Sequence, residues 1–244
     1  MIDFHVHQPR ANAYGPADLV TAMDGVGVTR AVVFTYEGLL RPSAAANDSL
    51  AQFVSAAPTR LHAFATVDPR DPAASAEITR CVTSHGMRGI KLHPWLQGFS
   101  SHEPGLDAVC ETAAEHGIPI LFHDGTPPFS TPLQLASLAE RHPRTTIVLG
   151  HGGLHDLWRE AIAAVAACPN VHLCMCGTPG YAMRAIVRRC PLDRLLFGTD
   201  GGLRTEPMPR YAVLRIRQLD EIGLDDDARA AVLDVNPRRL LGDT

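Results

Sequence analysis

The 244-residue sequence lacks the marks of several protein classes. No apolar run approaches the roughly 20 residues of a membrane-spanning helix, which excludes a transmembrane segment. Basic residues form no cluster and the net charge is −4, so no nucleic-acid partner is expected. Because 45% of the residues are apolar and only 20% are charged, the chain is expected to bury a sizeable core rather than to be disordered.

Cysteine pairs of the C-x-x-C type are also missing. The six cysteines lack the density of a small disulfide scaffold, and Cys174 and Cys176 lie in an apolar stretch that indicates core positions rather than metal ligation. Reduced thiols fit a cytoplasmic protein. The N-terminal segment MIDFHVH has neither the positive region nor the cleavage site of a signal peptide. Cytoplasmic localisation is therefore the expectation.

Short apolar runs rich in β-branched residues recur at a steady spacing. Eight of them start 24–31 residues apart, and each interval holds an amphipathic stretch of helical length. The runs begin near residues 2, 30, 61, 88, 118, 146, 170 and 194. Eight such units in about 250 residues are typical of a (β/α)8 TIM barrel. An open doubly wound sheet is the alternative, but the first loop, HQPRANAYGP, is not the Gly-rich phosphate loop usual there.

The intervals between the runs predict the helices. Helical stretches are expected at 16–25, 43–57, 72–85, 104–116, 131–142, 154–167, 179–190 and 207–222. One more helix is predicted over 225–241, and Pro237 is expected to break it into two pieces. No linker separates the chain into halves. The sequence therefore predicts one α/β domain over residues 1–244, a barrel with a short extra C-terminal helix.

Five of the eight predicted strands end on residue types that bind metals or carry out proton transfer. Catalysis in barrels takes place at the C-terminal ends of the strands, so these side chains are expected to converge. In chain order they are His5 and His7, Lys91 and His93, His123, His151, and Asp200.

The His5-Val6-His7 pattern has a geometric consequence. Residues two apart on a strand point to the same side and lie roughly 6.6 Å apart, so both imidazoles can reach one ion. His123 enters from the fifth strand, and Asp200 enters from the eighth, which lies beside the first when a barrel closes. Three imidazoles and one carboxylate suit one divalent cation, with zinc expected and manganese, cobalt or iron as alternatives.

Six short motifs occur in a defined order along the chain. They are DFHVH at 3–7, GIKLHP at 89–94, LFHDG at 121–125, LGHGG at 149–153, FGTD at 197–200 and NPRRLL at 236–241. Together they resemble the amidohydrolase superfamily over the whole chain, in particular the branch of metal-dependent hydrolases and decarboxylases of the aminocarboxymuconate-semialdehyde decarboxylase type. The resemblance implies a metal held by His5, His7, His123 and Asp200. It also implies that His151 is the general acid or base.

Some of these residues have alternative roles. Asp200 can bind the metal, accept a proton, or do both. Lys91 is the only lysine among 22 basic residues, and we expect it to contact the substrate; in binuclear relatives a carboxylated lysine on this strand bridges two metals, which is the alternative. Arg10 and Arg204 are candidates to clamp a substrate carboxylate. The full set of predicted substrate-binding residues is Lys91, His93, Arg10, Tyr14, Trp95 and Arg204.

Two reactions and one non-catalytic role remain open. A single metal ion can lower the pKa of water to about 7, which favours hydrolysis of a small-molecule amide, lactone or ester. The same constellation supports nonoxidative decarboxylation of a small carboxylic acid. Decarboxylases of the resembled branch are longer and carry a segment that roofs the substrate, so the length of this chain favours hydrolysis. A catalytically inactive ligand-binding barrel is the third possibility. The resemblance implies a homodimer, and no membrane partner is expected.

Overall fold

The computed structural model describes residues 1–10, 13–40, 42–203 and 206–243. Eight strands lie within two residues of their predicted starting points, and each is followed by at least one helix. The strands are β1 (Ile2–His7), β2 (Arg30–Phe34), β3 (Leu61–Phe64), β4 (Ile90–Leu92), β5 (Ile120–Phe122), β6 (Ile147–Leu149), β7 (Val171–Cys174) and β8 (Leu195–Leu196).

The helices cover the outside of these strands. They are α1 (Pro16–Asp24), α2 (Ser43–Ser55), α3 (Ala74–His85), α4 (Pro94–Gln97), α5 (Gly105–Glu115), α6 (Pro132–Arg141), α7 (Trp158–Ala167), α8 (Gly180–Arg189), α9 (Arg210–Glu221), α10 (Asp226–Ala230) and α11 (Asn236–Leu240). Short 3-10 turns precede α2 and β8. No described helix has the length and apolar character needed to cross a membrane.

The strands close into a parallel barrel. β1 to β3 pair in sequence order, and so do β4 to β8. Between these two groups, the amide of Lys91 donates to the carbonyl of Ala65 at 2.7 Å. On the other side, the amide of Asp200 donates to the carbonyl of His5 at 2.9 Å, which joins the end of β8 to β1. The predicted (β/α)8 TIM barrel is confirmed.

A bulge in β1 turns two consecutive side chains into the barrel. The pairing of β1 with β2 slips by one residue between Asp3 and Val6. Phe4 therefore belongs to the cluster inside the barrel, together with Phe34. The next residue, His5, also packs on Phe34, with ring centroids 4.9 Å apart, whereas Val6 packs outward against the helices. Bulges are known to re-aim side chains in this way.

Apolar side chains fill the barrel below its C-terminal end. Because the strands are covered by helices outside and by side chains inside, they are apolar on both faces. The interior cluster consists of Ile2, Phe4, Val32, Phe34, Phe64, Leu121, Val148, Cys174, Cys176, Leu196 and Leu241. The polar ends of the strands thus lie directly above a buried apolar layer.

Most helix ends lie within three residues of the prediction, and two features of the helices differ more strongly. The helix expected from Leu154 begins at Trp158, because Leu154 itself has a left-handed φ of 55° that a helix does not contain. Pro237 does not break the C-terminal helix. A π-helical turn over Ala231–Val235 precedes it, and proline falls in the first turn of α11, where its missing amide is tolerated. The short helix α4 was not predicted.

Candidate active site

Three of the predicted metal ligands converge at the C-terminal end of the barrel. One ligand atom from each of His5, His7 and Asp200 lies within 4.8 Å of the other two. Asp200 Oδ1 is 3.1 Å from His7 Nε2 and 3.4 Å from His5 Nε2. Both imidazoles are buried, and the Asp200 side chain is 17% exposed. The bulge in β1 and the left-handed φ of 62° at Asp200 produce this convergence.

Glycine makes room for the first of these rings. A Cβ on Gly198 would lie 2.5 Å from the Cβ of His5, which is closer than side chains approach one another. Gly198 follows β8 in the FGTD motif, two residues before Asp200. A larger residue there would displace His5 from Asp200, so the glycine serves the site rather than a turn.

Within the described part of the chain, several buried nitrogens in this region have no hydrogen-bond partner. They are both ring nitrogens of His5, Nδ1 of His7, Nε2 of His123 and Nζ of Lys91. Buried polar groups without partners cost free energy, and in native proteins they usually mark a site for an ion, water or ligand. Imidazole nitrogens beside a carboxylate are the donors that zinc and related divalent cations bind. The residues present therefore fit a divalent cation.

Burial keeps the imidazoles in the form that binds metals. It lowers the pKa of His5 and His123 well below the usual 6.5, and it lowers the pKa of His151 to about 3. Burial alone would raise the pKa of Asp200, but the hydrogen bond from His7 and the nearby His151 outweigh it, so its pKa is lowered. At neutral pH the site thus holds neutral imidazoles and an ionised carboxylate, as metal binding requires.

His123 and His93 form a stacked pair beside this group. Their ring centroids are 3.7 Å apart with an interplanar angle of 11°. The His123 ring also lies 4.4 Å from His151, which is itself 4.6 Å from His5. Among the described residues, His123 does not join the group of ligand atoms within 4.8 Å of one another. Its role as the fourth ligand stays a prediction, supported by its unpartnered Nε2.

The loop after β6 holds His151 in a defined orientation. His151 Nδ1 is 3.1 Å from the carbonyl oxygen of Cys176, so Nδ1 donates and Nε2 keeps a free lone pair. The backbone amides of His151 and Gly153 donate to the two carboxylate oxygens of Asp124, each at 2.6 Å. The sequence analysis assigned no role to Asp124. The one feature of the sequence that could have pointed to it is its position directly after His123.

Comparison with known proteins decides the family. The sequence model of the amidohydrolase family matches residues 2–242. The chain belongs to the amidohydrolase family. This amidohydrolase is 30% identical over 212 residues to the L-fucono-1,5-lactonase of Burkholderia ambifaria, an alignment that spans 77% of this chain and 69% of the lactonase.

Solved structures with this fold include two decarboxylases. The 5-carboxyvanillate decarboxylase of Sphingomonas paucimobilis superposes with a TM-score of 0.75 at 20% identity, covering 100% of this chain and 99% of that chain. The dihydroxybenzoic acid decarboxylase of Polaromonas sp. JS666, solved with manganese and 2-nitroresorcinol, gives a TM-score of 0.74 at 17% identity and covers 99% and 96%. At these identities the likeness shows the fold alone and does not separate hydrolysis from decarboxylation.

Asp3 ties the first strand of the amidohydrolase to the last. Its carboxylate accepts hydrogen bonds from the amide of His5 at 3.1 Å, from the amide of Thr199 at 3.0 Å and from the hydroxyl of Thr199 at 2.5 Å. Burial raises the pKa of Asp3 to about 6, although these hydrogen bonds oppose the rise. Asp3 therefore positions the segments that carry His5 and Asp200 and does not itself line the group of ligands.

Lys91 on β4 and His93 just before α4 lie near the other site histidines, whereas Trp95 on α4 is exposed. Lys91 is fully buried, its Nζ lies 4.9 Å from the centroid of the Phe34 ring, and burial lowers its pKa to about 8. His93 Nδ1 accepts the amide of Leu96 at 3.4 Å and caps α4. Trp95 is 54% exposed, with its ring centroid 6.1 Å from that of His93.

The remaining candidates differ in their surroundings. The guanidinium carbon of Arg10 lies 3.7 Å from the centroid of the Tyr36 ring, and the ring centroids of Tyr36 and His7 are 6.0 Å apart. The guanidinium of Arg10 is therefore close to the metal-binding residues. Tyr14 is buried in the hydrophobic cluster between the strands and the outer helices. Arg204 lies outside the described residues.

Proposed function

We propose that this amidohydrolase hydrolyses the ester bond of a small-molecule lactone with the help of one divalent cation held by His5, His7, His123 and Asp200. The observation that carries the proposal is the convergence of buried, neutral imidazoles and an ionised carboxylate with unpartnered nitrogens. The 30% identity to an L-fucono-1,5-lactonase supports a lactone as the substrate class. Zinc is the expected cation, and the manganese in a structural neighbour supports manganese as an alternative.

Each site residue then has its own role in the reaction. A divalent cation in this donor set would polarise the substrate carbonyl and supply a hydroxide nucleophile at neutral pH. His151 Nε2, left free by the bond from Nδ1 to Cys176, accepts a proton and returns it to the leaving alkoxide as the ring opens. Asp200 is ionised and can share this role. Lys91 Nζ has no hydrogen-bond partner among the described residues and donates to a substrate oxygen.

Nonoxidative decarboxylation is the second candidate, because several solved structures of this fold are decarboxylases. In that reaction Lys91 would pair with the substrate carboxylate, and His151 would deliver a proton to the carbon that loses CO₂. The support is weaker than for lactone hydrolysis, since those relatives share only the fold at 17–20% identity.

A substrate panel that follows acid and CO₂ separately tests the proposal. The zinc-loaded and manganese-loaded protein is offered aldonolactones, simple amides and dihydroxybenzoates. We expect acid release from a lactone without CO₂, lost after chelation and restored by the metal. Release of CO₂ would establish the second candidate. Metal binding without any turnover would instead support the ligand-binding barrel. Sedimentation of the same samples tests the predicted homodimer.

A further inference from the structure

A second group of buried metal-binding side chains overlaps the proposed centre. One ligand atom from each of His5, His151 and Cys176 lies within 4.8 Å of the other two. All three residues are buried. The apolar stretch around Cys176 predicted a core position, and Cys176 does belong to the interior cluster. Its sulfur nevertheless lies close to two imidazoles, two residues beyond the end of β7.

The guanidinium of Arg215 donates a hydrogen bond to the sulfur of Cys176. Arg215, on α9, donates from one of its terminal nitrogens to Cys176 Sγ at 3.1 Å and to the carbonyl of Thr199 at 3.3 Å. A positive charge beside a thiol stabilises the thiolate. A cysteine binds a cation as the thiolate, so the Cys176 thiol must lose its proton when a cation binds.

The donor types distinguish this group from the first. His5 has two unpartnered ring nitrogens, and His151 retains Nε2. With a thiolate they make a set of two nitrogens and one sulfur, which favours thiophilic cations. The first group, formed by His5, His7 and Asp200, has a carboxylate oxygen in place of the sulfur. It therefore also binds harder cations, including manganese.

We propose that His5, His151 and Cys176 form a second cation site, selective for thiophilic divalent ions such as Cd²⁺ or excess Zn²⁺. As the metal–sulfur bond forms, the Cys176 thiol releases its proton to solvent, and nothing is oxidised or reduced. An ion at this site inhibits the enzyme, because it takes His5 from the first group and engages the imidazole of His151. The inhibition rests on the proposed function, whereas the binding does not.

Cadmium titration of the full-length protein tests the binding directly. We expect a thiolate-to-cadmium charge-transfer absorption in the ultraviolet and release of one proton for each ion bound. Cys176→Ser should lose this absorption and require at least a 10- to 100-fold higher cadmium concentration for half-inhibition, the loss typical even of outer-shell ligand partners. Cys174→Ser is the matched control. It removes a buried thiol from β7 outside the proposed group and should retain the absorption.

Further variants separate the two sites. His7→Asn removes a ligand of the first group only, so it should impair hydrolysis but keep the cadmium–thiolate absorption. Absence of that absorption in the wild-type protein, or its persistence in Cys176→Ser, would overturn the proposal. X-ray absorption of the cadmium-loaded wild-type protein identifies the ligand atoms without a variant: a sulfur neighbour supports the site, and only nitrogen and oxygen neighbours refute it. Lactone hydrolysis is scored independently on the zinc-loaded protein.

Discussion

The backbone amide of His151 donates a hydrogen bond to Asp124 Oδ1 at 2.6 Å. The residue that follows His123 in sequence therefore holds the loop that carries another site histidine. The second oxygen of Asp124 accepts the amide of Gly153 at 2.6 Å, so both ends of the carboxylate are used. Burial raises the pKa of this carboxyl to about 6, and the two amides oppose the rise.

Asp124→Asn should slow the reaction without removing the metal. The amide side chain retains only one acceptor oxygen, so one loop amide loses its partner. Mutation of residues that orient a metal site typically lowers metal affinity or activity by 10- to 100-fold. We expect kcat to fall by about that factor. Losing a buried bond to a charged group costs about 1–3 kcal/mol, which lowers Tm by a few degrees. Asp156→Asn, on the exposed part of the same loop, should change neither value. Wild-type kcat in Asp124→Asn would contradict the positioning role.

Substitutions at two histidines should have different effects. His5→Ala removes a central ligand, so the purified protein should lose its cation and its activity together. His151→Asn should keep the cation but lose about 10²- to 10⁴-fold in kcat, the usual contribution of a general acid or base. Metal analysis beside steady-state kinetics checks both. We expect one cation per chain in the zinc-loaded wild-type protein. Two cations would favour a carboxylated Lys91 as a bridge, and the opposite pattern in the two variants would refute the assigned roles.

Lys91→Met should lower kcat/KM without lowering Tm. The buried ammonium has no hydrogen-bond partner in the described ranges, and replacing such a group by an apolar one of similar volume is often neutral or stabilising. Tm should therefore stay level or rise. The loss of a charged hydrogen bond to the substrate, worth about 1.5–3 kcal/mol, should lower kcat/KM by roughly 10- to 100-fold. Unchanged kinetics with a lower Tm would show that Lys91 is structural.

Acid should destabilise the fold partly through His62. This histidine, on β3, is 6% exposed, and burial lowers its pKa to about 4, helped by Arg88 and Arg30 and opposed by Asp243. The unfolded chain binds the proton near pH 6.5, so this stability is fully present above pH 6.5 and is lost as the pH falls towards 4. After solvent screening, the loss amounts to roughly 2 kcal/mol.

Chemical denaturation across this pH window measures that contribution. The free energy of unfolding of His62→Gln should fall less steeply between pH 6.5 and 4 than that of the wild-type protein. His155→Gln, at an exposed position, serves as the control and should follow the wild-type curve. Parallel curves for His62→Gln and the wild-type protein would rule out His62 as the source.

Most of the framework could be predicted because it depends on short-range patterns. Apolar runs with a regular spacing predict the strands, and His5, His7 and Asp200 meet as expected because the ends of parallel strands share one edge. The bulge in β1 was not predictable, since strict alternation would have turned Phe4 away from the side that His5 occupies. Pro237 likewise suggested a break that the preceding π-helical turn avoids.

The order of residue types along the chain was thus enough to determine the barrel, the family and the residue types at its C-terminal end. Only the tertiary structure decided which side chains meet across the ring. Asp124 holds the His151 loop, and Cys176 comes within reach of His5, through contacts between strands that are 27 or more residues apart in sequence. The physical reason is that closure of the barrel brings together side chains whose separation in the chain carries no local signal.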